Sequence, residues 1–123
     1  MAAGQAEFEV HVDRKAVQLG ETFQITIRAR GQSVEEPQLP EIEGLEVDPQ
    51  PRIREDRWTF TAYGQEEIKI RGYVAYATRS GKVTISPITV EIDGKTYRSE
   101  PIALTVTERG IRLPEPQRSS GVE

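Results

Sequence analysis

The 123-residue chain contains no cysteine. That excludes a disulfide framework, a thiolate metal site and a cysteine nucleophile. It leaves the compartment open, because exported domains without disulfides are common. Histidine occurs once, as His11. A Ser-His-Asp triad would have to use it, and no Gly-x-Ser-x-Gly elbow accompanies it. No run approaches the ~18 apolar residues of a spanning helix, and no signal-peptide core is visible. Positive charge is not in excess: 16 Lys and Arg stand against 20 Asp and Glu, for a net charge of −4. With no basic-aromatic interleaving, this argues against a nucleic-acid partner. A Gly-rich phosphate loop is also missing. So is helical periodicity over more than a few residues.

What is present is alternation. In Glu7–Asp13, Phe8, Val10 and Val12 share one face. His11 lies on the other face, between Glu9 and Asp13, and reads as part of a solvated strand exterior. Ala16–Leu19 is a short continuation that stops at Gly20. Glu21–Arg30 alternates again, with Phe23, Ile25, Ile27 and Ala29 inward. Arg52–Tyr63 reads as a strand with Trp58, Phe60 and Ala62 on its core face, and with Glu55-Asp56 as a turn or bulge. Glu67–Thr78 is the longest strand pattern. Both its faces become apolar toward its end, as in a central strand.

Gly81–Val106 carries the clearest signals. It holds strands at Lys82–Ile85, Ile88–Ile92 and Ile102–Val106, a Ser86-Pro87 break and an Asp93-Gly94 turn. Asp-Gly between alternating residues marks a type I′ hairpin. Turn signals recur every ~8–12 residues, which predicts an all-β fold: an immunoglobulin-like antiparallel β-sandwich of about 7–9 strands. The length suits one domain. We expect the sandwich over residues 7–108, a short disordered start at 1–6, and a flexible linker or tail at 109–123, rich in Pro and Ser. Both ends read as cut from something larger.

The irregular stretch is Gly31–Pro51. It contains Pro37, Pro40, Pro49 and Pro51, and proline cannot donate to a sheet ladder. It reads as an extended connector packed on the sandwich edge, with a short strand at Leu45–Asp48. Its carboxylates lack the spacing of a calcium loop and are placed to pair with Arg52, Arg54 and Arg57. Leu39, Ile42 and Leu45 are its apolar anchors. They are the candidate protein-contact residues if they do not all bury into their own sandwich. Trp58, Tyr63, Tyr73, Tyr76 and Tyr97 would make a sugar-stacking platform only if exposed together; the core parity of Trp58 and Phe60 predicts packing instead. No catalytic, metal or cofactor site can be assembled.

Three segments resemble the BatD-type aerotolerance proteins, the oxygen-tolerance family. Ala6–Gly31 is similar to the family's first two alternating strands around a Leu-Gly-Glu turn, here Leu19-Gly20-Glu21. Pro37–Val47 resembles its proline-rich connector, with Leu45 where an aromatic often stands. Ser80–Val106 resembles its closing hairpins. Arg57–Gln65 departs from the family pattern, which has a smoother Ser- and Thr-rich strand there. The resemblance implies an exported, membrane-anchored bacterial protein. It would carry tandem β-sandwiches in the periplasm, at the outer side of the inner membrane, and a transmembrane helix that this chain lacks. Von Willebrand A-type Bat proteins or sister domains are the implied partners, and aerotolerance or stress the implied setting. It implies no enzyme, no cofactor and no catalytic residues. The rival expectations are a carbohydrate-binding sandwich or a structural spacer of a cell-surface protein.

Overall fold

The computed structural model describes residues 6–62 and 64–108. The expectations for residues 1–5 and 109–123 lie outside the described residues. Ten strands follow in order: β1 (Glu7–Val12), β2 (Ala16–Gln18), β3 (Thr22–Gly31), β4 (Leu45–Val47), β5 (Ile53–Thr61), β6 (Gly64–Ala77), β7 (Gly81–Ile85), β8 (Thr89–Ile92), β9 (Lys95–Arg98) and β10 (Ile102–Thr107). No helix occurs among the described residues.

The first layer runs β1-β3-β6, all antiparallel. Along the far side of β6, β5 pairs with residues 64–72 and β4 with residues 75–77. The second layer is built on one long hairpin. β7 pairs with β10 and β8 with β9 in a common register, with Ile85 opposite Ile102 and Thr89 opposite Arg98. Pro87 and Pro101 fall in the gap between the two paired stretches. They interrupt the ladder because they lack an N–H, but they do not slip it. The gap is bridged by Ser99 N–H on Ile88 C=O at 2.9 Å, and by Ile88 N–H on Ser99 Oγ at 2.8 Å. β2 adds to this layer, parallel to β10.

The connector completes the second layer. Val34 bridges Ile92 and Gln38 bridges Thr89 on the open side of β8. Glu35 N–H donates to Glu91 C=O at 2.9 Å, and Gln38 N–H to Thr89 C=O at 2.8 Å. The chain then crosses to β4 in the first layer. The two layers enclose a core that includes Phe23, Ile25, Ile27, Ile85 and Leu104. A smaller cluster, Ala29, Val34, Val90 and Ile92, packs the β8-β9 hairpin on β3. The architecture is an immunoglobulin-like antiparallel β-sandwich.

The hairpin turn forms as its sequence predicts. Asp93 (φ 53°) and Gly94 (φ 80°) both take positive φ, as type I′ requires. Asp93 Oδ1 also accepts the Gln32 and Ser33 N–H groups at 2.9 and 2.8 Å, tying the turn to the end of β3. Asp93→Ala is expected to cost about 1–2 kcal/mol, read as a lower urea midpoint. Asp93→Asn, which keeps an acceptor oxygen, is expected to cost less.

Two expectations need correction. Glu55-Asp56 is neither turn nor bulge: both residues sit in the regular ladder, opposite Ile70 and Lys69. Trp58 and Phe60 are not core residues. They lie on the inward side of the first layer, as their parity predicts, but remain 54% and 77% exposed. Alternation fixes which way a side chain points. It does not fix how far the opposite layer extends.

Candidate functional site

The connector forms the site while crossing between layers. Gly44 (φ 88°) makes the turn into β4, closed by Leu45 N–H on Ile42 C=O at 3.1 Å. A left-handed conformation favours glycine. A Cβ there would also stand 3.1 Å from the Val83 side chain. This turn sets Ile42 and Leu45 into the core, 5% and 7% exposed. Leu39 stays half-buried against them.

Between the connector and β6 lies an open groove of about 440 Å³. Ile42, Leu45 and Tyr73 line its buried side, and Leu39, Pro40, Val47 and Pro49 its more open side, with Glu41 and Glu46 exposed. The structure therefore brings all three candidate contact residues to one groove, and among them Leu39 presents the most surface. Burial pushes the Tyr73 hydroxyl pKa up, and the Glu36 carboxylate adds to the rise. The lining contains no histidine, lysine or serine that could act as base or nucleophile.

Two residues before Tyr73 on β6 is a charged group with no local sequence motif to mark it. The Arg71 side chain on β6 is completely buried between the layers. Its guanidinium forks onto Glu36 of the connector, Nε to Oε2 at 2.7 Å and Nη2 to Oε1 at 3.0 Å. Nη2 also meets Asp56 Oδ1 of β5 at 2.9 Å. Nη1 donates to the carbonyls of Ile70 (3.0 Å) and Glu55 (3.3 Å). Lys69 Nζ extends the network to Asp56 at 3.7 Å and Glu67 at 3.0 Å. Glu67, itself buried, accepts the Val34 N–H at 3.0 Å. These bonds fasten the connector to the first layer at two points.

The electrostatics follow from that geometry. The hydrogen bond from Arg71 holds the Glu36 carboxyl below its ordinary value of 4.5, against a smaller opposing push from burial. At Asp56 burial pushes the pKa up, but the hydrogen bond and charge of Arg71 outweigh it, leaving a net fall from 3.8. Glu36 in turn raises the Arg71 guanidinium. Two other arginines of this region form more exposed pairs. Arg54 reaches Glu36 at 4.0 Å, and Arg57 pairs with Glu55 within its own strand at 2.8 Å. One sequence signal pointed to Arg71: it shares parity with Tyr73, Ala75 and Ala77, all buried.

The third feature is the overhang. Directly opposed residues of an antiparallel ladder share a face. Trp58 opposes Glu67 and Phe60 opposes Gln65, so both rings face the interlayer side. They lie on the distal part of the β5-β6 hairpin, where they remain exposed. Tyr76 is also exposed, but by alternation it points to the outer face. Tyr73 is buried and Tyr97 half-buried. His11 is exposed on β1 opposite Thr26. No cluster of three or more potential metal ligands occurs among the described residues.

The family model described as the BatD DUF11 like domain matches residues 10–106. The chain belongs to the BatD family. The matched span runs from β1 into β10 and so takes in the groove, the Arg71 network and the overhang. Among solved structures, this BatD domain is similar to the BIgI domain of beta protein from S. agalactiae bound to CEACAM1. The identity is 14% and the TM-score 0.42, with 84% of this chain and 99% of that one covered. No curated protein matches the chain.

Proposed function

We propose that this BatD domain is a non-enzymatic protein-interaction module of an exported, membrane-anchored protein acting in aerotolerance or stress on the extracytoplasmic side. It docks a partner protein through the connector groove at Leu39, Ile42 and Leu45. The observation that carries this reading is the groove itself. It is apolar at its base, rimmed by Leu39, Pro40 and Pro49, and open to solvent. The Arg71–Glu36 fork holds one end of its rim in place, and a preorganised rim lowers the ordering cost of binding. Von Willebrand A-type Bat proteins and sister domains of the same protein are the partners to test.

Leu39→Asp is the informative variant, because it changes the groove with little loss of core. It is expected to weaken capture of a purified von Willebrand A-type partner or adjoining domain by about tenfold or more, in the range of an interface anchor. Glu9→Gln, on the outer face of β1, should leave capture unchanged. Equal capture by wild type and Leu39→Asp would remove the groove from the interface. A carbohydrate-binding reading keeps one specific support: Trp58 and Phe60 are exposed together on one face.

A further inference from the structure

β6 is the only strand that pairs with β5 among the described residues, so over residues 53–60 the other edge of β5 is open to a further strand. Strands with free edges add further strands, and natural edges usually carry charges that oppose this. β5 and its approach carry such charges: Arg52, Arg54, Glu55, Asp56 and Arg57. Their order, however, is self-complementary in two registers, and only one of these also sets a cation against both exposed rings. From this we infer that β5 is an interface between two copies of this chain, which pair antiparallel, edge to edge, about a two-fold axis at Asp56.

The register follows from symmetry and charge. A two-fold axis perpendicular to the sheet keeps every residue on its own face, so only residues of equal parity can oppose each other. The axis must therefore pass through a residue. Centred on Glu55, the pairing sets Arg54 against Asp56 twice, but it opposes two glutamates, leaves Phe60 opposite Gln50 without a cation, and brings Pro51, which has no N–H, into the ladder opposite Thr59. Centred on Arg57, it opposes two arginines and sets Asp56 against Trp58. Centres nearer the hairpin tip shorten the ladder.

Centred on Asp56, Glu55 opposes Arg57 twice, and opposite charges in cross-strand pairs are attractive. Arg54 then opposes Trp58 and Arg52 opposes Phe60, each twice. This gives both exposed rings a cationic partner. The one like-charge pair is Asp56 with itself, and each Asp56 is already held by Arg71 at 2.9 Å and Lys69 at 3.7 Å. The pairing thus covers the overhang on a surface separate from the connector groove.

The chain has no native cysteine, which makes the register directly testable. Centring on Asp56 places Ile53 of one copy opposite Thr59 of the other. In sedimentation with the full chain, the mass is expected to rise from 13.8 kDa toward twice that value, with a Kd of roughly 100 µM for so small an interface. Glu55→Arg and Arg57→Glu should each weaken association about tenfold, and the double variant should restore it. Oxidising an equimolar mixture of Ile53→Cys and Thr59→Cys proteins should link unlike chains in preference to like ones. A chain that stays monomeric to ~1 mM overturns the proposal. So does preferential self-linking of Thr59→Cys, or charge variants without effect. Binding of the wild type to anionic phosphatidylglycerol vesicles or to soluble polysaccharide, lost in Trp58→Ala while the chain remains a monomer, would assign the overhang to a different occupant and equally overturn it.

Discussion

Arg71→Ala is expected to lower the unfolding free energy by about 3 kcal/mol, mainly the lost packing and hydrogen bonds of a fully buried side chain, since the carboxylates it leaves behind are partly open to water. The substitution empties a fully buried site between the layers. It also leaves Glu36 without the two bonds of the fork, and removes one donor from each of the Ile70 and Glu55 carbonyls. Arg71→Lys would not rescue it, because one ammonium cannot satisfy a connector carboxylate and a β5 carboxylate with the geometry of a planar fork. Chemical unfolding at pH 7 measures the loss.

The pH dependence separates this charge effect from the cavity. Glu36 and Asp56 both titrate lower in the folded chain than their ordinary values of 4.5 and 3.8. Their contribution is therefore fully present above those values and disappears as pH falls through the folded ones. The wild type should hold its stability from pH 7 to about 5 and lose it progressively below about 4.5. Arg71→Met fills part of the site without charge, so its acid limb should be flatter. Parallel limbs in the two proteins would contradict the network as described.

Gly31→Val is expected to cost about 3 kcal/mol through overpacking. Gly31 ends β3 opposite Glu67, beside Ile92 and Asp93 of the β8-β9 hairpin. A Cβ there would collide with the Ile92 side chain, which is completely buried and cannot swing into solvent. Adding Ile92→Ala to Gly31→Val should recover part of the loss, although Ile92→Ala alone destabilises. That non-additivity is the signature of direct contact. Simple addition of the two effects would place the clash elsewhere.

The strands were legible because alternation and turn chemistry are local. Phe23, Ile25, Ile27 and Ala29 point inward as their spacing predicts, and Asp93-Gly94 makes the expected turn. Two things were not legible. The first is coverage: nothing in RWTFT tells the chain that no layer will cover Trp58 and Phe60. The second is inversion on β6. At its start the inward parity holds Glu67, Lys69 and Arg71 while Ile68 and Ile70 face outward, so an alternation rule reads the faces backwards there. The groove was half legible. The spacing of Leu39, Ile42 and Leu45 marks them as apolar anchors, but only the turn at Gly44 decides that two of them go into the core.

One topological detail bears on mechanics. β2 runs parallel to β10, with Ala16, Val17 and Gln18 opposite Thr105, Val106 and Thr107. Lys15 C=O accepts from Thr105 N–H at 2.9 Å, and Leu19 N–H donates to Thr107 C=O at 2.8 Å, at the two ends of this ladder. Tension between the segment entering β2 and the segment leaving β10 would slide these strands lengthwise past each other. Their hydrogen bonds would then be loaded in shear, all at once, whereas an antiparallel pair pulled from one end opens rung by rung.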